Sequence, residues 1–330
     1  MQITDPKKIV ISRTDSIGDV ALTLPLAGIL KEKFPNVKII FLGNTYTKPI
    51  IECCQNIDEI WDWNDLQKLN STEQINWLKA QNIDSFIHVF PRKELARLAK
   101  KAGIKNRIGT SHRLFHLTTC NCRPGFTRKN SDLHESQLNV KLLSPFGIKK
   151  DFDLAELFNY SSFQKTLILP DFLSNFIENG KKNIIFHPKS KGSAPEWSLE
   201  NYIELAQNLD SLKVNIYFTG TEKEGLLFRN QLPKQENIID LSGKMTLSEL
   251  ISFIAACDIL LAASTGPLHL AGLSGINTIG LFAPQKPIHA GRWKPLGNKV
   301  FIIEAKNNST SPQPLNIPLR DVKRAIEERL

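Results

Sequence analysis

The chain has 330 residues, of which 41% are hydrophobic and 23% charged, and a formal net charge of +9. That is the balance of a globular protein with a sizeable core, built as one large domain or two ordinary ones. It has no apolar run of about 18 residues, which excludes a helix spanning a membrane. Residues 1–8 lead straight into a strand pattern, without the apolar stretch of a secretory signal, so a cytoplasmic protein is expected.

The first strand is expected at Ile9–Ser12. After it comes Arg13-Thr14-Asp15-Ser16-Ile17-Gly18-Asp19-Val20, and then a helix predicted over Asp19–Lys33 that Phe34-Pro35-Asn36 ends. Further strands are predicted near Val37–Leu42, Glu59–Trp61, Ile83–Phe90 and Arg107–Gly109. Helices are predicted at Thr45–Cys54, Thr72–Ala80, Lys93–Ala102 and Leu133–Ser144. This alternation means a parallel sheet with helices on both faces. A carboxylate after the first strand lies where such sheets hold ligands, and it can serve as a general base.

Between Pro91 and Asn130 stand eleven basic residues, with Glu94 as the sole acid. Such a patch attracts phosphate, nucleic acid or an anionic membrane; a solvated helix face is the structural alternative. Only Phe115 and Phe126 interleave there, too few aromatics for a single-strand nucleic-acid platform. The five cysteines have no framework spacing and are expected as reduced thiols. His112, His116, Cys120 and Cys122 could supply four zinc ligands, but their spacing matches no common zinc motif. No metal site is expected, and the role of this cluster stays open.

The pattern becomes irregular over 151–180, so the domain boundary falls there: 1–160 and 161–330. Asp151-Phe152-Asp153 looks like an acidic metal-binding pair but lies in this boundary region. A second alternating series follows. Strands are predicted at Asn183–His187, Val214–Thr219, Ile259–Ala262 and Thr278–Phe282. Helices are predicted at Ser198–Leu209, Thr221–Asn230, Thr246–Cys257 and Leu268–Ser274. Ser198 is a candidate N-cap, and Thr246 with Glu249 forms a capping box. An amphipathic helix, 319–330, closes the chain and could pack back on the first domain. The fold class is α/β: two doubly wound Rossmann-like domains with a cleft between them.

Two loops of the second half offer anion chemistry. Ser264-Thr265-Gly266-Pro267-Leu268-His269 joins a strand to a helix. Gly266 allows close approach, Pro267 suits a first helical turn, and the backbone N–H groups with two hydroxyls suit a diphosphate. His187-Pro188-Lys189-Ser190-Lys191 opens a polar loop running to Trp197. Lys189 or Lys191 could neutralise charge on a leaving phosphate; Trp197 is read as a packing residue.

Together these pieces resemble glycosyltransferase family 9, the ADP-heptose:lipopolysaccharide heptosyltransferases and their relatives. The resemblance rests on Arg13–Asp19 with Leu24-Pro25, His187–Trp197, Leu241-Ser242-Gly243-Lys244 with Leu247–Leu250, and Ser264–Ala271. Leu281-Phe282-Ala283-Pro284 and Arg292-Trp293 complete it. Two positions depart from the family pattern: Ser264 stands where many members carry an aspartate, and Pro195 where a basic residue often precedes the tryptophan.

The resemblance implies the GT-B architecture, with the acceptor on the first domain and the nucleotide-sugar on the second. It implies inversion at the anomeric carbon, with no cofactor and no required metal. Asp19 would be the general base, with Asp15 the competing candidate; helix capping is the structural alternative for Asp19. Arg13, Ser16, Gly18, Arg92 and Lys93 would face the acceptor. Lys189, Ser190, Lys191, Ser264, Thr265, Gly266, Pro267 and His269 would face the donor.

The partners expected are a nucleotide-sugar and an anionic glycolipid or glycan. Peripheral association with the inner face of the cytoplasmic membrane fits them, and nucleic acid is not expected. The other readings are a nucleotide-sugar epimerase or hydrolase on the same fold, or a non-catalytic nucleotide or phosphoglycan binder.

Overall fold

A computed structural model describes residues 2–129, 131–164, 167–306 and 314–330. The chain divides into two compact units, Met1–Gln164 and Lys165–Leu330. Each is a parallel α/β sheet flanked by helices, so the Rossmann-like class expected from the alternation is what the chain adopts.

In the first unit the strands are β1 (Lys8–Ser12), β2 (Lys38–Gly43), β3 (Glu59–Asp62), β4 (Ser85–His88) and β5 (Asn106–Ile108). The helices are α1 (Ile17–Ala21), α2 (Pro25–Lys33), α3 (Lys48–Glu52), α4 (Trp63–Lys68) and α5 (Ser71–Ala80). They continue with α6 (Lys93–Lys101), α7 (Leu114–Thr119), α8 (Glu135–Val140) and α9 (Leu154–Ser161). The sheet order is β3-β2-β1-β4-β5, all parallel. Ile9, Val10 and Ile11 are fully buried, as expected for a strand covered on both faces.

The single helix predicted over Asp19–Lys33 is two helices. Pro25 has no N–H to bond to Ala21, so the ladder breaks. Leu22–Leu24 bridge the gap with short-range turns, Thr23 N–H donating to Val20 O and Leu26 N–H to Thr23 O. The helix predicted at Thr45–Cys54 likewise starts with a 3₁₀ turn, Thr45–Thr47, before α3.

The second unit contains β6 (Lys182–His187), β7 (Val214–Phe218), β8 (Ile238–Asp240), β9 (Ile259–Ala263), β10 (Asn277–Phe282) and β11 (Val300–Glu304). Its helices are α10 (Asp171–Ser174), α11 (Leu199–Asn208), α12 (Glu222–Phe228) and α13 (Leu247–Ala256). They end with α14 (Gly266–Leu273), α15 (Ala290–Trp293) and α16 (Leu319–Glu327). The sheet order is β11-β10-β9-β6-β7-β8. The expected caps form: Ser198 accepts from Asn201 N–H, and Thr246 and Glu249 cap each other reciprocally.

The terminal helix, α16, buries Val322, Ala325 and Ile326 in the second unit's core with Ile184, Phe186, Trp197 and Tyr202. The amphipathic pattern specifies an apolar face and leaves its partner open.

Aspartates lying just before strands tie the sheet together at its amino end. Asp84 precedes β4 and accepts from Lys7 N–H and Lys8 N–H at 2.8 Å. Asp58 precedes β3 and accepts from Ile39 N–H at 2.6 Å. Asp258 precedes β9 and accepts from Asn183 N–H at 2.9 Å. Each bond satisfies an amide at the start of a neighbouring strand, and the carboxyl ends of the strands carry the candidate site.

Candidate active site

In both sheets the strand order reverses beside the first strand: between β1 and β4 in the first unit, and between β6 and β9 in the second. Such a switch point opens a crevice at the strand carboxyl ends, where α/β sheets bind ligands.

In the first unit, loops after three strands converge there. Arg92 donates through Nε to Thr14 Oγ1 at 3.0 Å and through Nη2 to Thr14 O at 3.3 Å. Asn44 donates to the same carbonyl at 2.8 Å. The Arg92 guanidinium also lies over the Trp63 and Phe90 rings. Lys93, its predicted companion, is exposed at the first position of α6, with no ion pair among the described residues.

Arg13 organises the carboxylates. Its side chain is 5% exposed. Nε donates to Asp15 Oδ1 at 2.7 Å, Nη2 donates to Asp19 Oδ1, and Nη1 lies 3.5 Å from Glu135 Oε1. Ser16 Oγ donates to the second Asp19 oxygen at 2.5 Å. Asp19 lies in the first turn of α1, with its side chain still 18% exposed. Gly18, buried beside it, keeps this turn compact. Arg13, Asp15, Ser16, Gly18 and Asp19 thus form one cluster: a carboxylate pinned by two donors, yet open to solvent on one side.

Glu135 and Arg128 complete the cluster, and sequence reasoning missed the role of both. Glu135 is buried at the start of α8 and pairs with Arg128 as well as Arg13. Arg128 also donates to Asn139 Oδ1 at 2.9 Å. Asn139 in turn donates to Leu22 O at 3.2 Å, and Thr23 Oγ1 donates to Asp19 O at 2.8 Å. No local pattern marks Glu135 as a member of this cluster, because Arg13 stands far away in the chain.

Burial pushes the Asp15 carboxyl up to about 6, Arg13 opposes the rise and Asp19 adds to it. The folded chain therefore holds this proton more tightly than the unfolded chain. The Asp15 contribution to stability falls as pH rises from about 4 to about 6 and is flat above. Asp15→Asn is expected to remove that slope, worth about 3 kcal/mol at most. Urea unfolding of parent and variant at pH 4 and pH 7 measures it; parallel pH dependences would show that Asp15 titrates normally.

In the second unit, Glu196 shapes the loop after β6. It accepts from Ser190 N–H at 2.7 Å and pairs with Lys189 at 3.0 Å. The Ser190 hydroxyl lies within reach of Glu196 Oε1 and Ala194 O. Lys189 is thus held by an acid. Lys191 is exposed, has a φ of +52°, and makes no ion pair among the described residues. Burial pushes His187 down to about 4, so it is neutral at pH 7, and its Nδ1 is 3.0 Å from Thr219 Oγ1. Trp197 packs as expected: it is buried against Tyr202 and donates Nε1–H to Ile317 O at 2.9 Å.

Across the switch point, β9 leads through Ser264 and Thr265 into α14. Thr265 is the N-cap residue, yet its side chain accepts no capping bond. It is only 5% exposed, and Oγ1 has no hydrogen-bond partner among the described residues. A buried orphan hydroxyl is unfavourable unless a ligand satisfies it. Here it stands at a helix N-terminus, whose partial positive charge favours an anion. Gly266 and Pro267 occupy the first two helical positions, and His269 is buried in the same helix.

The cluster His112, His116, Cys120 and Cys122 does not converge on a metal geometry. His116 Nδ1 is 2.9 Å from Thr110 O, and burial pushes the Cys120 thiol up to about 11. Among the described residues, no group of three or more His, Cys, Asp or Glu side chains is placed to hold a metal ion. Nor is any helix among them long and apolar enough to cross a membrane.

Each Rossmann-like unit thus carries polar groups at its switch point, a pinned carboxylate in the first and a buried hydroxyl at a helix start in the second, and such groups suit a group-transfer enzyme. A family model for glycosyltransferase family 9 (heptosyltransferase) matches residues 77–315, well over half of the chain, and the chain belongs to that family. It is similar, at 27% identity, to a Haemophilus influenzae protein assigned only as far as a glycosyltransferase; the match covers 98% of this chain and 95% of that one. It is 23% identical to the lipopolysaccharide core heptosyltransferase OpsX of the same organism, over 91% of this chain and 85% of the relative. The solved structure of Escherichia coli ADP-heptose lipopolysaccharide heptosyltransferase II shares the fold, with a TM-score of 0.73, 17% identity and 98% of each chain covered. The chain is a glycosyltransferase, and the two-domain Rossmann-like class predicted for it holds.

Proposed function

We propose that this glycosyltransferase moves a heptose from ADP-heptose to a lipopolysaccharide-type acceptor at the cytoplasmic face of the membrane, with inversion and without a metal. The observation that carries the proposal is the Asp19 carboxylate, pinned by Arg13 and Ser16 at the carboxyl end of β1 and still open to solvent. The heptosyltransferase relatives support the sugar and the acceptor, and the family resemblance supports ADP as the nucleotide.

In this reading the first unit takes the acceptor and the second the donor. The acceptor oxygen attacks the anomeric carbon, and its proton passes to the Asp19 carboxylate. The bond from the anomeric carbon to the diphosphate oxygen breaks, and ADP leaves with the electron pair. One displacement inverts the configuration. The N-terminus of α14, the Thr265 hydroxyl and Lys191 stabilise the departing charge, while Ser264, Ser190 and His269 border that site. Lys189 positions the loop through Glu196. Arg92 orders the Thr14 turn on the acceptor side, and Lys93 attracts an anionic acceptor.

The test is ADP release from ADP-heptose with and without a heptose-free inner-core glycolipid, and analysis of the anomeric configuration of the product. Acceptor-dependent release with inversion is expected. Release without acceptor would make the protein a hydrolase, and a retained configuration would remove the single displacement. Thr265→Val is expected to weaken ADP binding about tenfold to a hundredfold, as the loss of a hydrogen bond to a charged group. Because it deletes a buried orphan hydroxyl, it is expected to leave stability unchanged or slightly raised. Calorimetric titration with ADP and thermal unfolding check the two halves of this prediction.

A further inference from the structure

Most cations of the basic segment take no part in the candidate site. On α6, Arg97, Lys100 and Lys101 are exposed, as is Lys105 just beyond it. Next to them α7 presents two leucines to solvent: Leu114 is 85% exposed and Leu117 50%. Three positions apart, they share one side of the helix. The cations are fixed beside them. Lys100 Nζ donates to Thr118 O at 2.8 Å, and Arg123 Nη1 donates to Leu117 O at 2.6 Å. Arg113, also exposed, immediately precedes Leu114. Leu226 and Leu227 on α12 of the second unit, also exposed, follow the acids Glu222 and Glu224 instead.

We propose that α7 and its flanking cations are a membrane-docking surface, with Leu114 and Leu117 entering the headgroup–acyl boundary of an anionic phospholipid bilayer. Exposed leucines gain by leaving water. Lys100, Arg113 and Arg123 gain from the negative surface potential of such a membrane. An anionic bilayer offers both at once, and the charge surrounding the leucines selects it over an apolar protein groove. The proposal deepens the function above and rests on it for a lipid-borne acceptor: it names the surface by which the enzyme reaches the plane where that acceptor lies.

The test uses the full chain and acceptor-free vesicles of phosphatidylglycerol with phosphatidylethanolamine, read by co-sedimentation. Binding is expected to fall with added salt and to be far weaker on phosphatidylcholine vesicles. Leu114→Ser/Leu117→Ser is expected to lower partitioning about tenfold or more. Arg113→Glu/Lys101→Glu is expected to act in the same direction, while Leu226→Ser/Leu227→Ser stays within about twofold, as for any surface change remote from the contact.

Equal binding to neutral vesicles, or full binding by Leu114→Ser/Leu117→Ser, overturns the proposal. Self-association of the free chain that the leucine variant abolishes, without vesicle binding, assigns the face to a second copy and overturns it too. Transfer to a detergent-dispersed acceptor, measured separately, isolates the two readings. A parent chain that transfers but binds no vesicles defeats only the docking surface; a parent chain that binds vesicles but does not transfer defeats only the proposed reaction.

Discussion

Asp19→Asn is expected to lower turnover about a thousandfold, in the range for removal of a general base. The amide matches the carboxylate in size and still accepts from Ser16 Oγ, whose contact to Asp19 is 2.5 Å. Arg13 keeps Asp15 and Glu135 as partners, so the first unit stays folded. ADP affinity, which the proposal assigns to the second unit, is expected to change by less than about twofold, because the lost interaction acts in the transition state. Single-turnover kinetics with ADP titration check both parts. Full turnover by the variant would remove Asp19 from the mechanism and leave its carboxylate as a structural partner of Arg13.

The second large effect concerns Arg13. Arg13→Met removes a cation that touches Asp15, Asp19 and Glu135 together. Breaking a buried ion pair from one side leaves uncompensated charge and costs about 3–5 kcal/mol. Arg13 also holds the Asp15 proton affinity down, so without it the carboxyls bind protons more readily. The destabilisation is therefore expected to be greatest near pH 7 and smaller below about pH 5, where protonation relieves the repulsion. Hydrogen exchange at the amides of β1 and β4 reports it locally. An equal loss at both pH values would trace the effect to packing rather than charge. Arg13→Lys keeps the charge but loses the planar fork and is expected to fall in between.

Features that depend on near neighbours in the chain were readable before any coordinates. The apolar runs at Ile9–Ile11 and Ile259–Ala262 are strands because continuous apolar residues suit a parallel sheet covered on both faces. The caps at Ser198 and at Thr246 with Glu249 span three residues. The motif Arg13–Asp19 was legible for the same reason: Arg13, Asp15, Ser16 and Asp19 meet within one turn and one loop. Even the break at Pro25 was visible in principle, since a missing N–H is a local fact.

Other features stayed hidden. The edge strands β8 and β11 are short and only partly buried, so no strong pattern announces them. Glu196 stands in a loop of ordinary appearance, yet it pairs with Lys189, while Lys191 stays exposed to solvent.

By itself the amino-acid order determined the alternating α/β class, the positions of the polar loops after β6 and β9 and the acid in the first turn of α1. These follow from periodicity, turn chemistry and contacts within a few residues. Only the tertiary structure decided that Glu135 and Arg128 complete the Arg13 cluster, that the Thr265 hydroxyl is buried without a partner, and that α16 serves the second unit's core. Each of these depends on side chains brought together from distant segments, where desolvation and long-range pairing set the energies.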